Sequence, residues 1–126
     1  MNTFIAVAAG GALGSVLRHG VNLAAARWLG LGFPWGTFVD NVGGCFFMGV
    51  VAAAASRKMG LSPEWWVFLA TGLLGGFTTF SAFSLDVTEL LGQGYFARAA
   101  LYFSGTLILA FLGFYLGAGA TKLVLS

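Results

Sequence analysis

Four long apolar stretches, separated by short runs rich in glycine and proline, set the pattern of the chain. They run from about Phe4 to Leu29, Trp35 to Ala55, Trp65 to Leu91 and Ala97 to Leu125. Each is long enough to cross a bilayer as a helix, which takes about 20 residues. The connections have turn composition: GLGFP with Gly30, Gly32 and Pro34, SRKMGLSPE with Arg57, Lys58, Gly60 and Pro63, and GQG with Gly92 and Gly94. Ser62-Pro63-Glu64 offers the third helix a capping serine and a first-turn proline. Trp28, Trp35, Trp65 and Trp66 fall near the predicted ends, where an interfacial aromatic belt belongs. The pattern predicts an all-α membrane protein with four transmembrane helices in one domain over residues 1–126. The opening MNTFIAVAAGGALG lacks the positive start of a secretory signal, and its apolar run continues past Arg18, so it reads as part of the first span.

The third stretch is interrupted by GGFTTFSAFS, residues 75–84. Two adjacent glycines and a cluster of hydroxyls weaken a helix, and a break is expected at Gly75-Gly76 and Thr78-Thr79. Backbone groups freed inside a membrane are tolerated only where protein or a lined cavity satisfies them. Carbonyls freed near a two-fold axis, contributed by two copies, could hold a cation. Phe80 and Phe83 would project from one face beyond the break. Aromatic ring edges are positive and can touch an anion without a fixed charge. The plainer reading makes both rings ordinary core or lipid-facing residues, since the chain has 13 Phe.

Other polar residues sit inside the spans. The third contributes Thr71, Thr78, Thr79, Ser81 and Ser84, the second Thr37, Asp40 and Asn41, and the fourth Tyr102, Ser104, Thr106 and Tyr115. Tyr102 and Thr106 are four apart and share a helix face. Intramembrane polar groups either mark a pathway or, for Ser and Thr, bond back to their own helix. A mid-span asparagine is harder to satisfy locally, so Asn41 is a pathway candidate or a link between helices. Gly10 and Gly14, Gly72 and Gly76, and Gly113 and Gly117 are spaced four apart, a pattern that lets helices approach closely.

Composition narrows the function classes. With 59% hydrophobic and 8% charged residues, the chain suits lipid rather than water. No basic patch points to nucleic acid. A single Cys and a single His argue against a disulfide or a zinc site. Nothing resembles a nucleotide loop or a nucleophile with its base, so catalysis is not indicated. Arg57, Lys58 and Lys122 on one side balance Arg27 and Arg98, with or without Arg18, on the other. This near tie removes the orientation preference and suggests insertion both ways, with two copies paired antiparallel. Four helices also make a thin bundle, and a polar route is more easily built between two such bundles. A homodimer is therefore expected.

Three segments, GALGSVLRH, FPWGTFVDNVGGCFFMG and GGFTTFSAFS, resemble in order the signatures of the Fluc (CrcB-like) fluoride channels, and the resemblance covers essentially the whole chain. It implies a dual-topology antiparallel homodimer in the inner membrane, passively exporting fluoride through two pores. It also implies a structural sodium ion on the dimer axis, held by the backbone carbonyls of Gly75 and Thr78. Asn41 would donate its amide to fluoride, Phe80 and Phe83 would present ring edges, and Thr79, Tyr102 and Thr106 would complete the pathway. Thr37 and Ser81 would line a vestibule to which Arg18 adds positive potential. Such a pore suits fluoride, because close donors must replace tightly held water while binding stays weak enough for release.

Two positions depart from the family pattern. Asp40 stands where relatives usually have an apolar residue and is expected to be protonated or paired, with Arg18 or another polar group. Ala82 stands where many have threonine, and Cys45 reads as a packing residue. A proton-coupled small multidrug exporter would share the length, four spans and dual topology. It should carry an acid in the first span, and this chain has none there. A non-transporting helper subunit is the third reading.

Overall fold

The structure, a computed structural model, describes residues 2–57 and 60–126. Lys58, counted in the charge balance, lies outside the described residues, as does the side chain of Arg57. Helix α1 spans Thr3–Leu29, with Asn2 Oδ1 accepting from the Phe4 N–H at its start (2.7 Å), and α2 spans Trp35–Arg57. The third span is a composite: α3 (Pro63–Trp66), a π-helical stretch (Val67–Leu74), α4 (Gly75–Phe77), an extended step at Thr78 and Thr79, then α5 (Phe80–Gly92). Helix α6 spans Phe96–Leu125. No strand occurs among the described residues, and all four spans are long and apolar enough to cross a membrane. Ser62 caps α3 as expected, its Oγ accepting from the Trp65 N–H at 3.3 Å. Left-handed glycines, Gly30 after α1 and Gly94 after α5, turn the chain at one end of the bundle.

The spacing of small residues decides which helices pair. A side chain at Gly10 would strike the backbone of Phe68 and Leu73, and one at Gly14 the backbone of Leu73 and Phe77. From the other side, Gly72 faces Gly10 and Val7, and Gly76 faces Gly11. Helix α1 therefore runs parallel to the third span with backbones in contact. The same holds for α2 and α6, where Gly49 lies against Phe114 and Ala118, Gly117 against Phe46, and Gly113 against Val42. All three glycine pairs singled out in the sequence lie at these seams. In lipid such seams supply dispersion contacts that hydrophobic exclusion cannot. The bundle is two parallel pairs set antiparallel to each other.

The helix breaks at Thr78-Thr79, one half of the expected stretch, while Gly75-Gly76 stays helical. Gly75 keeps helical angles (φ −63°, ψ −37°), and the chain leaves the helix only at Thr78 (φ −87°, ψ 155°) and Thr79 (φ −153°, ψ 117°). Gly76 serves contact with α1: an added Cβ would lie 2.8 Å from the Gly11 carbonyl oxygen. The preceding π-helical turns have no counterpart in the hydrophobic pattern. Such turns are uncommon and frequently accompany functional sites.

A methyl group at the α2–α6 seam should therefore be felt. Gly117→Ala is expected to lower the thermal unfolding midpoint in detergent, by about 1–3 kcal/mol of stability. Gly43→Ala, facing open space, should leave it unchanged.

Candidate functional site

The break is held open by one side chain from another helix. Thr79 donates its backbone N–H to Asn41 Oδ1 at 2.7 Å, and Asn41 Nδ2 donates back to the Thr79 carbonyl at 3.1 Å. This two-point contact fixes which way the amide points. It also replaces the helical bond that Thr79 N–H would have given to the Gly75 carbonyl. Beyond the break, Thr79 Oγ1 caps α5 by accepting from the Ala82 N–H at 3.1 Å, diverting that donor from the Thr78 carbonyl. Thr79 Oγ1 and Ser81 Oγ share a further bond of 3.2 Å. On the helical side, Arg18 Nε donates to the Gly76 carbonyl at 3.1 Å, and Thr78 Oγ1 donates back to the Leu74 carbonyl at 3.0 Å. The Gly76 carbonyl, both backbone groups of Thr79 and the Ala82 N–H are thus satisfied by protein, as lipid requires. The same substitutions leave the Gly75 and Thr78 carbonyls, the pair named for a cation, without their helical donors.

The two phenylalanines after the break differ. Phe80 is 73% exposed on the outside of the chain, whereas Phe83 is 3% exposed and belongs to the core. Their ring centroids are 5.7 Å apart. Phe83 packs against Tyr102 (centroids 5.0 Å) and stacks on Phe103 (5.9 Å, 21° between planes). Tyr102 is completely buried, and its hydroxyl donates to Asp86 Oδ2 at 2.9 Å. A phenol has one proton, so Tyr102 then shows its surroundings only lone pairs. Thr106, one turn further along α6, is buried with Oγ1 unpartnered.

Toward the end carrying the α1–α2 and α5–α6 connections, a cavity of about 460 Å³ opens beside this aromatic cluster. Thr37, Asn22, Asp86, Glu89 and Arg98 are among its lining residues. Arg98 braces the rim by donating to the Gly32 carbonyl (3.2 Å) and lying over the Tyr95 ring. Of the residues assigned to a vestibule, Thr37 lines this cavity. Arg18 is instead at the Gly76 carbonyl, and Ser81 is exposed beside Thr79.

The remaining polar side chains divide between those that follow the sequence reading and those that do not. Asp40 is completely buried with no hydrogen-bond partner on either oxygen, so of the two expectations, protonated or paired, the pairing is not made. The guanidinium is directed to the freed Gly76 carbonyl, an acceptor created by the break itself. Asn41 has one amide hydrogen engaged with Thr79, leaving one for another partner. Thr78, Ser104 and Thr88 bond back to carbonyls of the preceding turn, the plainer reading for such residues. Cys45 is half-buried beside Phe111, Phe114 and Tyr115, a packing position. The sequence reading missed Asp86 and Asn22. Asp86 meets Tyr102 from 16 residues away across two helices, and the buried Asn22 Oδ1 is unpartnered. Neither spacing carries a local signal.

Together these features define a small polytopic membrane protein whose interior polar groups gather around a broken helix. Residues 5–118 match the family described as CrcB-like protein, Camphor Resistance (CrcB). The chain is 49% identical over 118 residues to the "Fluoride-specific ion channel FluC" of Hyphomonas neptunium, covering 93% of each. It is 49% identical over 117 residues to that of Rhizobium meliloti, covering 93% of this chain and 94% of the relative. The identity is 44% over 119 residues to "FluC 2" of Nitrobacter hamburgensis, with 94% and 96% covered. The chain belongs to the CrcB-like family. These relatives are named as ion channels, a class that does no covalent chemistry.

Replacing Asn41 by Leu removes both bonds to Thr79. The Thr79 amide should then exchange its hydrogen faster by roughly tenfold or more, on the scale of one buried hydrogen bond. Asn41→Asp keeps the acceptor for Thr79 N–H and should retain most of the protection in the same hydrogen-exchange experiment.

Proposed function

We propose that this chain forms a passive fluoride channel of the inner membrane. The observation that carries the reading is the Asn41–Thr79 contact, which holds a helix open at membrane depth while leaving one amide hydrogen uncommitted. Phe80 follows it on the outer face, Phe83 packs against Tyr102, and Thr106 on the same helix as Tyr102 has an unpartnered hydroxyl. Amide, hydroxyl and ring edges are donors of the kind a strongly hydrated small anion needs, each weak enough to let it go. The names of the relatives point to the same ion.

The working unit is a homodimer of two chains inserted in opposite directions, with two pores bordered by both copies. The balanced charges at the two ends of the bundle favour such insertion. The exposed Phe80 suits a position where a second copy completes the wall. At the two-fold axis the carbonyls of Gly75 and Thr78 would hold one sodium ion. Their donor chemistry fits a hard cation, because both have lost their helical N–H partners to Asn41 and Thr79. When bound, the ion supplies positive charge to backbone oxygens that no N–H neutralises.

Liposomes containing only this protein test the reading. Fluoride efflux, followed with a fluoride electrode, should run without a proton gradient. Drug-dependent proton movement in its place would identify a small multidrug exporter, and neither flux would leave a helper subunit. Phe80→Ile and Phe83→Ile should each slow efflux by on the order of tenfold or more while the dimer persists. Unchanged efflux in both would remove the rings from the pathway.

A further inference from the structure

Two charged side chains lie unmatched on one level of the interior. Asp40 on α2 is wholly buried, with both carboxyl oxygens unpartnered. Arg18 on α1 commits its Nε to the Gly76 carbonyl, and a guanidinium has further N–H donors to give. Helices α1 and α2 run antiparallel, with Gly36 of α2 against Asn22 of α1. Four residues on along α2 and four back along α1 bring Asp40 and Arg18 to the next turn of the same seam.

The surroundings limit what else can answer Asp40. From α6, Tyr102 has already given its proton to Asp86 of α5. The break and α4 bring no ionisable side chain. On α1, Asn22 adds an unpartnered amide oxygen, and His19, beside Arg18, is exposed. The arrangement with Arg18 at the break and no donor on Asp40 suits a neutral carboxyl. An ionised carboxylate left alone at that depth is costly and calls for the nearest cation.

We propose that Asp40 and Arg18 form a proton-operated control on the anion pathway, resting on the fluoride-channel reading above. With Asp40 neutral, Arg18 stays on the Gly76 carbonyl and turns its remaining N–H groups to an anion passing the break. With Asp40 ionised, the carboxylate claims the guanidinium. The pathway then loses its positive charge, and the break loses a donor. Proton binding at Asp40 and fluoride binding near Arg18 therefore favour each other, as linkage demands. Asp40 is a positioning residue that acts through Arg18.

The test is fluoride efflux from liposomes holding the full chain, from about pH 5.5 to about pH 8.5, with leak from protein-free liposomes subtracted at each pH. Wild-type flux should fall on the order of tenfold as pH rises. Asp40→Asn, close in shape and uncharged, should stay at the acidic wild-type level throughout. Arg18→Gln should be slow and independent of pH, and adding Asp40→Asn to it should change nothing. His19→Gln should keep the wild-type profile. The proposal is overturned if Asp40→Asn follows the wild-type pH profile, if its gain survives without Arg18, or if His19→Gln alone flattens the curve. Asp40→Ser, compared for the same pH independence, covers the case in which Asp40→Asn does not fold. Wild type passing no fluoride at any pH would sink the channel reading itself. A pH-flat wild-type flux equal to that of Asp40→Asn would sink only the proton control.

Discussion

A backbone amide exposed to lipid has no water to turn to, and the contact between Asn41 and Thr79 answers that constraint. Two hydrogen bonds from one side chain stand in for the helical partners that an extended Thr79 gives up. Without them the third span would close into a continuous helix or leave polar groups bare, each worth several kcal/mol in hydrocarbon. The other substitutions at the break follow the same logic. Arg18 takes the Gly76 carbonyl, and Thr79 Oγ1 takes the Ala82 N–H. A local defect thus becomes a stable structural element.

That contact depends on where the helices stand. Asn41 reaches Thr79 because α2 approaches the break closely enough for Gly44 to face Thr78. The third span is itself held by its glycine seam with α1. Side chains at Gly10, Gly14 or Gly72 would push this pair apart, and the break would move out of reach of the amide. Small residues in the seams are therefore coupled to the polar chemistry of the interior, although none of them is polar.

The interior polar groups divide into satisfied and unsatisfied sets, and the division carries functional meaning. Asn41, Thr79, Thr78 and Tyr102 have protein partners. Thr106, Asn22 and Asp40 have buried oxygens with none. In most proteins such atoms are few and call for an explanation. A passing anion is one for the Thr106 hydroxyl, which has a proton to donate, whereas the oxygens of Asn22 and of an ionised Asp40 can only accept. Here the unsatisfied oxygens lie on α1, α2 and α6, and Asn22 lines the cavity at the end of the bundle that carries the α1–α2 connection.

The number, bounds and pairing surfaces of the helices were legible in the sequence, because hydrocarbon thickness dictates span length and close packing demands small residues four apart. The existence of a break was legible too, in the cluster of glycine and threonine after Leu74. Which part of that cluster leaves the helix was not. Gly75 and Gly76 look like helix breakers in isolation, yet contact with α1 keeps them helical and moves the break to Thr78 and Thr79. The partners of the polar side chains were equally hidden, since Asn41 to Thr79, Arg18 to Gly76 and Tyr102 to Asp86 are separated by 38, 58 and 16 residues. Periodicity records which face of a helix is apolar, but a hydrogen bond between helices depends on register and distance, and those exist only once the chain has packed.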